Sequence, residues 1–458
     1  MNSITRRLRK IQPVQIIALG FIGMILLGGI LLSLPIATVN RHSIGLLNAL
    51  FTSTSSICVT GLTVVDTGVV FSLFGQIVIL ILIQAGGLGF MTMATFIFLL
   101  LGKRISLRER IVIRESLNED GLSGMVIMIQ RILIVTFIAE FIGAALLCTR
   151  FIPTYGAVKG IYYSIFHSIS AFCNSGFDLF GYSKSFTPFA NDLIVNLTVM
   201  SLVIIGGIGF VVILDISNKI RLGRSTKLSL HSKIVLIVTT FLIVFGAICF
   251  YFLESDNLKT IGSPELTSSG KVFASFFQSI TPRTAGFNTI DQNSMGLAAK
   301  MLTMLLMFIG ASPAGTGGGV KTSTVAVILL LVLSIAKGQK DVNVMHKRID
   351  TNVVLRAIVI VILSIVLVLS VTLILSMTEQ HIGVFSFENV LFEVLSAFGT
   401  VGLSCGITPH LSMLGKVLIM LTMYAGRIGM LTLIMAVSNR LNRGDSRTRY
   451  PEDKIMVG

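Results

Sequence analysis

Four short stretches of the chain share one chemistry. Ser56-Ile57-Cys58-Val59-Thr60-Gly61-Leu62-Thr63 is followed by Phe172-Cys173-Asn174-Ser175-Gly176-Phe177, by Pro282-Arg283-Thr284-Ala285-Gly286-Phe287 and by Gly399-Thr400-Val401-Gly402-Leu403-Ser404. In each, a run of small or polar residues leads to one glycine and then to a bulky apolar residue. The glycines recur at steps of 115, 110 and 116 residues, which describes a fourfold internal repeat. Glycine can take φ > 0, so neighbouring carbonyls can turn the same way. Four such loops around one axis would form rings of carbonyl oxygens able to replace a cation's hydration shell. One copy alone would be an ordinary turn glycine; four at near-equal spacing require another reading.

About a dozen residues of amphipathic pattern precede each loop. They predict short helices over Ser43 to Ile57, Val158 to Phe172, Gly270 to Thr281 and Ser386 to Phe398. A chain that turns back at membrane depth is tolerated only where it lines a cavity. The carboxyl ends of such helices, negative in their dipole, would face that cavity and favour a cation. Some 24 to 30 residues beyond each central glycine a second cluster of small residues follows: Gly86-Gly87-Leu88-Gly89, Gly206-Gly207-Ile208-Gly209, the run from Gly310 to Thr322, and Ala425-Gly426-Arg427. The first two are expected to serve close helix packing. In the third, the glycines and Pro313 should break the span in mid-membrane. In the fourth, Arg427 is a cation inside a span and a functional candidate by default. Because both lie about 24 residues past their glycines, repeat symmetry puts them at one depth. Ser312, Pro313, Gly315, Thr316, Gly317, Gly318, Gly319 and Lys321 are therefore expected to form, with Arg427, a gate beneath the carbonyl rings.

The elements that must position these residues are membrane spans. The chain is 53% hydrophobic and only 12% charged, against roughly 25% charged in a soluble domain. Runs of about 20 apolar residues, enough to cross a bilayer, begin near Ile16, Phe71, Met125, Leu193, Ile234, Leu297, Val353 and Leu411. The fold class expected is all-α integral membrane: eight transmembrane spans and four half-span pore helices, arranged as four membrane-pore loop-membrane repeats around a pseudo-fourfold axis. The expected division is a basic amphipathic lead (1–14), repeats at 15–104, 125–218, 234–337 and 353–440, cytoplasmic loops at 105–124, 219–233 and 338–352, and a cytoplasmic tail (441–458). Twenty-four of the 36 Lys and Arg fall on the lead, these loops, the tail and the span ends that flank them (Lys103, Arg104, Lys337, Arg356 and Arg440), so the positive-inside rule makes this side and both termini cytoplasmic. The first apolar run lacks a small-residue cleavage site and should stay attached. Topology thus accounts for the net charge of +15 without nucleic acid, while leaving a surface for anionic lipid or a cytoplasmic partner.

Other chemistries fit poorly. Five cysteines and six histidines show no metal or disulfide spacing. Gly315 to Thr322 departs from a phosphate-binding loop at Val320 and lacks a preceding strand. Gly402-Leu403-Ser404-Cys405-Gly406 matches a nucleophile-elbow pattern without its strand-turn-helix setting. From residues alone the chain is a cation-conducting pore and no enzyme, with no cofactor of its own. A less selective sodium or ammonium channel or transporter is the alternative within transport, and an intramembrane hydrolase the alternative of another class.

Four membrane-loop-membrane units with one glycine each, a Gly-rich interruption in the third inner span and an arginine in the fourth resemble the Ktr/Trk/HKT superfamily of potassium transporters. Thr400-Val401-Gly402 also matches the first half of the potassium-channel filter sequence; the other three loops lack Thr-Val. With eight spans and no extra amino-terminal pair, the chain is similar to the KtrB-type membrane subunit, and the likeness covers essentially its whole length. The resemblance implies a selectivity filter binding potassium at Val59, Thr60, Gly61, Asn174, Ser175, Gly176, Thr284, Ala285, Gly286, Thr400, Val401 and Gly402. It also implies a plasma-membrane homodimer with one pore per protomer, a cytoplasmic KtrA-type nucleotide-binding ring as partner, and potassium import with sodium as an activator.

Overall fold

The computed structural model describes residues 13–89, 92–96, 111–112, 125–182, 184–223, 227–339, 341–379, 386–430 and 432–434. Most of the basic lead, of the expected loop 105–124 and of the end of the expected fourth repeat, and all of the expected tail 441–458, lie outside the described residues. The helices in order are α1 (Pro13–Ser33), α2 (Leu46–Ile57), α3 (Leu73–Leu88), α4 (Met125–Tyr155), α5 (Ala157–Phe172), α6 (Leu193–Gly207), α7 (Phe210–Leu222), α8 (Leu230–Glu254), α9 (Ser268–Ile280), α10 (Leu297–Phe308), α11 (Thr322–Ala336), α12 (Thr351–Thr378), α13 (Phe387–Gly399) and α14 (Met413–Ile428). A two-residue hairpin, β1 (Asn343–Val344) with β2 (Lys347–Arg348), interrupts the otherwise helical chain. Met345 and His346, both at positive φ, give it the turn that fits strand twist.

Among the described residues, α1, α4, α8 and α12 are each long and apolar enough to cross a membrane. At 28 residues α12 is ~42 Å long, which exceeds a hydrocarbon core of about 30 Å. Leu27, Phe141, Phe252 and Leu373 stand exposed on these four helices, as befits helices that are hydrophobic all round and face lipid. The chain is a multi-pass membrane protein.

The four helices α2, α5, α9 and α13 have ends within three residues of those expected, and with 12 to 16 residues none spans alone. They pack against the long helix before them, α2 on α1, α5 on α4, α9 on α8 and α13 on α12.

The inner spans depart from expectation. Close packing was the whole role assigned to the first two glycine clusters, and a break was expected only in the third. All four are interrupted. α3 stops before Gly89, α6 two residues before Gly209 and α14 before Gly429, and these glycines have φ of 83°, 97° and 92°, values a right-handed helix excludes and glycine accepts. Across Gly209 the pair α6 and α7 bends by 100°. The packing role is present too: a Cβ on Gly86, Gly206 or Gly426 would overlap the carbonyl oxygen of Ile57, Phe172 or Phe398 respectively. Each of these lies four residues before a central glycine. The breaks add to the packing; they do not replace it.

Buried carboxylates fix two inner helices to the outer helix before them. Glu254 at the end of α8 accepts from Gly296 N (2.8 Å) at the start of α10. Glu379 after α12 accepts from Ser412 N (3.1 Å) at the start of α14. Both satisfy helix-start donors and place negative charge at the positive dipole end.

Candidate functional site

Each short helix ends in a loop of the same backbone form. Val59, Thr400, Asn174 and Thr284, two residues before the central glycines, have φ of 55°, 50°, 59° and 74°, and Gly61, Gly176, Gly286 and Gly402 have φ of 92°, 71°, 79° and 94°. The residue between is not left-handed, so handedness alternates along the loop and successive carbonyls can share a direction. Positive φ at a β-branched valine is an outlier that costs of order 1–3 kcal/mol and persists only where surroundings enforce it. Hydrogen bonds from the residue before each glycine back to its own short helix supply that enforcement: Thr60 N to Ser55 O (2.8 Å), Ser175 N to Ser170 O (2.9 Å), Ala285 N to Thr281 O (2.9 Å) and Val401 N to Ser396 O (2.8 Å). Ser55 Oγ and Ser396 Oγ also accept from the N–H of Gly61 (3.0 Å) and Gly402 (3.1 Å).

The loops close into a ring. A Cβ on Gly61 would overlap Ser175 O; one on Gly176 would stand 2.9 Å from Ala285 O; one on Gly286 would overlap Val401 O; and one on Gly402 would overlap Thr60 O. Each loop therefore presses on the carbonyl before the next glycine, and the fourth meets the first. Thr60 Oγ1 is buried there with no protein partner.

Beneath the ring runs the segment between α10 and α11, pinned at its root by Gly310 N to Val320 O (2.9 Å). Gly318 N donates to Thr400 Oγ1 (3.0 Å), and a Cβ on Gly317 would overlap Thr284 Oγ1, so the segment touches the underside of two loops. Ser312 N and Thr316 N reach Gly207 O (3.0 Å) and Gly206 O (3.1 Å) on α6, Phe210 N reaches back to Ala314 O (2.8 Å), and Gly319 N reaches Gly426 O (3.2 Å) on α14. Lys321 Nζ donates to Gly317 O (2.6 Å). Arg427 on α14 ties the arrangement to α3: its guanidinium donates to Thr316 O and Gly86 O, and to Gly87 O at 3.4 Å. The residues expected around a gate, Ser312 to Gly319 with Lys321 and Arg427, are thus in one layer.

The TrkH cation transport protein family matches residues 19–448. The chain belongs to that family, as a KtrB-type member. It is 39% identical to the potassium/sodium uptake protein NtpJ of Enterococcus hirae over 100% of both chains. It is likewise 39% identical to Ktr system potassium uptake protein B of Bacillus subtilis (98% of this chain, 97% of the relative) and of Vibrio alginolyticus (97% and 94%). The crystal structure of the potassium transporter TrkH from Vibrio parahaemolyticus shares the fold, with a TM-score of 0.70 at 17% identity over 93% of this chain and 86% of that one. As a TrkH-family member the chain is a cation transporter and no enzyme.

Three parts of this TrkH-family site escape the sequence argument. Outside the ring lies a cavity of about 590 Å³ lined by all four glycines and by Asp66, Asp178 and Asp291. Asp66 and Asp291 each stand five residues after a central glycine, a spacing that could have flagged them. Burial pushes the Asp178 carboxyl up to about 7; the Phe180 N–H opposes this and neighbouring Asp66 adds to it. Second, two buried side chains, each nine residues before a central glycine, tie the outgoing chain behind the ring. His167 Nε2 accepts from Leu179 N (3.2 Å), and Glu393 accepts from Ser404 Oγ (3.0 Å) and Thr408 Oγ1. Third, Arg283 of the third loop is buried. Its Nη2 reaches Thr239 Oγ1 on α8 (3.4 Å), and its Nε has no partner.

Proposed function

We propose that the chain imports potassium across the plasma membrane through a channel-like pore. The carbonyls of Val59, Thr60 and Gly61, of Asn174, Ser175 and Gly176, of Thr284, Ala285 and Gly286, and of Thr400, Val401 and Gly402 serve as its selectivity filter. The observation that carries this reading is the closed ring: four left-handed loops, each against the carbonyl of the next, provide oxygens in number and symmetry suited to a dehydrated monovalent cation. The repeats 15–104, 125–218, 234–337 and 353–440 then surround one pseudo-fourfold axis, with eight spans, broken inner ones included, and both termini cytoplasmic. The acidic outer cavity concentrates cations at the ring. Potassium is substrate here, as the names of the potassium uptake relatives support, and sodium acts as an activator.

Segment 312–319 with Lys321 and Arg427 acts as the gate. Its glycines give mobility, and Arg427 places positive charge on the path while holding the loop by its carbonyls. The chain works as a homodimer, and its basic cytoplasmic face docks a KtrA-type nucleotide-binding ring that opens and closes this gate. Uptake of K, Rb, Na and ammonium by transport-deficient cells expressing the chain tests the reading. Saturable uptake in the order K and Rb above Na supports it; equal rates for Na or ammonium would establish the less selective alternative.

A further inference from the structure

The backing of the second loop differs from that of the other three. Glu140 sits in the middle of α4, 6% exposed, in a helix that crosses the membrane. Its Oε2 accepts from Gln84 Nε2 on α3 (3.2 Å), and Gln84 Oε1 accepts from Cys173 Sγ (3.3 Å). The backbone carbonyl of Glu140 accepts from Ser168 Oγ on α5 (2.6 Å), so both ends of the residue hold the second unit. Its Oε1, and Thr136 Oγ1 one turn earlier, have no protein partner. No ion pair among the described residues involves it. Polar groups at this depth are costly, and apolar residues of like volume usually fill such space at least as well. A line of three polar side chains across two helices therefore calls for a reason beyond packing.

That reason is what the line grips. Cys173 is the residue immediately before Asn174, the left-handed residue of the second loop. Its Sγ lies between Gln84 and Gly87, where a Cβ would stand 2.6 Å from it. The Asn174 amide is in turn 3.2 Å from Thr284 Oγ1 of the third loop, and one orientation also lets it donate to Ala171 O (3.0 Å) and Val203 O (3.2 Å). The position of Cys173 is taken by Cys58, Arg283 and Gly399 in the other loops. No hydrogen bond from Gln84 or Glu140 reaches any of them. Gly86 and Gly87, within the same turn of α3 as Gln84, accept from Arg427.

We propose that Glu140, acting through Gln84 and Cys173, is a positioning residue that fixes the height of the second loop's carbonyls and so helps to set discrimination between potassium and sodium. The inference rests on reading the glycine loops as the filter. It concerns the hydrogen bond that Glu140 accepts and not its charge, so glutamine at 140 can serve in its place.

The experiment measures K and Na uptake, with membrane abundance by immunoblot, for Glu140→Gln, Glu140→Leu, Gln84→Leu, Cys173→Ala and Gly176→Ser in transport-deficient cells. Glu140→Leu and Gln84→Leu should lower the K to Na ratio by about fivefold, the worth of one buried hydrogen bond, at unchanged abundance. The double variant should be no worse than either single one, because both cut the same line. Glu140→Gln should stay within about twofold of the unaltered chain. If Glu140→Leu does not reach the membrane, Gln84→Leu and Cys173→Ala decide. A ratio kept by these variants, or a parallel loss of both uptakes, overturns the inference while a shifted ratio in Gly176→Ser leaves the filter reading standing. A Glu140→Gln variant as defective as Glu140→Leu overturns it in favour of charge. If Gly176→Ser also keeps the ratio, the filter reading itself fails.

Discussion

At the level of Gly61, Gly176, Gly286 and Gly402 the four loops are interchangeable in backbone: two left-handed residues apiece, one bond back to the short helix, one carbonyl against the next glycine. One layer below, the units share a break at a glycine in three of the four but differ in what stands beside it. The first offers the carbonyls of Gly86 and Gly87 to Arg427, the second bends by 100°, the third inserts the segment from Ile309 to Lys321, and the fourth carries Arg427. A site that strips water from a spherical ion needs equivalent oxygens on every side. A device that opens needs a part that can move against parts that hold still, and one distinct segment is enough to supply it. The upper layer is held to fourfold likeness, and the lower layer is where the repeats were free to diverge.

Spoiling the likeness above should have the largest effect. Gly402→Ser puts a side chain into Thr60 O at φ 94°, so K over Na discrimination should fall by at least about tenfold, read as the uptake ratio. The same result is expected at Gly61 and Gly286, and unaltered discrimination in all would break the comparison.

Below the ring, the expectation has the opposite sign. Arg427→Ala removes charge-assisted bonds to Thr316 O and Gly86 O, each worth about 1.5–3 kcal/mol. Cation flux should rise by about tenfold while the K to Na ratio is kept, and dependence on a cytoplasmic partner should weaken. Deleting 315–319 should act in the same direction. Loss of flux in both variants, with normal insertion, would make this layer a packing device.

A smaller change is expected outside the ring. Neutralising Asp66 and Asp291 together should raise the KM for potassium by about threefold at low ionic strength, and less as salt screens the cavity. Because burial pushes the Asp178 carboxyl up to about 7, its charge is present above that pH and lost below it. Uptake should therefore slow as the outer medium is acidified through this value, and Asp178→Asn should abolish that slope. The smallest direct effect on transport belongs to the basic face proposed to be cytoplasmic. Charge reversal at Arg221, exposed at the end of α7, with Arg108, Arg110 and Arg224 outside the described residues, should weaken co-purification of an acidic regulatory ring.

Much of this comparison was legible in the chain itself. The short helices follow from amphipathic runs that stop at a small-residue loop, and Arg427 follows from the rarity of charge within spans. The breaks at Gly89, Gly209 and Gly429 were not legible, because a glycine costs a helix only about 1 kcal/mol and its sign of φ is set by what it packs against. The line from Glu140 to Cys173 runs through Gln84 and so joins two units of sequence by side chains that, taken singly, look like tolerated polar residues. The hairpin at 343–348 is too short for its alternation to register. What the sequence carries well is repetition; what it hides is contact between distant and dissimilar residues.

The closure of the ring has a consequence for how the molecule is made. Thr60 O and Gly402 touch, yet they stand 342 positions apart in a chain of 458. The first three loops can assume their left-handed turns as they leave the translocon, but the gap beside Gly61 stays open until the fourth unit is synthesised and seated. Contacts of such long separation are slow to form, and units inserted earlier wait for later ones. A nascent chain halted before Phe387 is therefore expected to insert without conducting, so that the bilayer is sealed against ion leakage throughout synthesis. Ribosome-stalled chains of graded length in proteoliposomes would register the step at which flux begins.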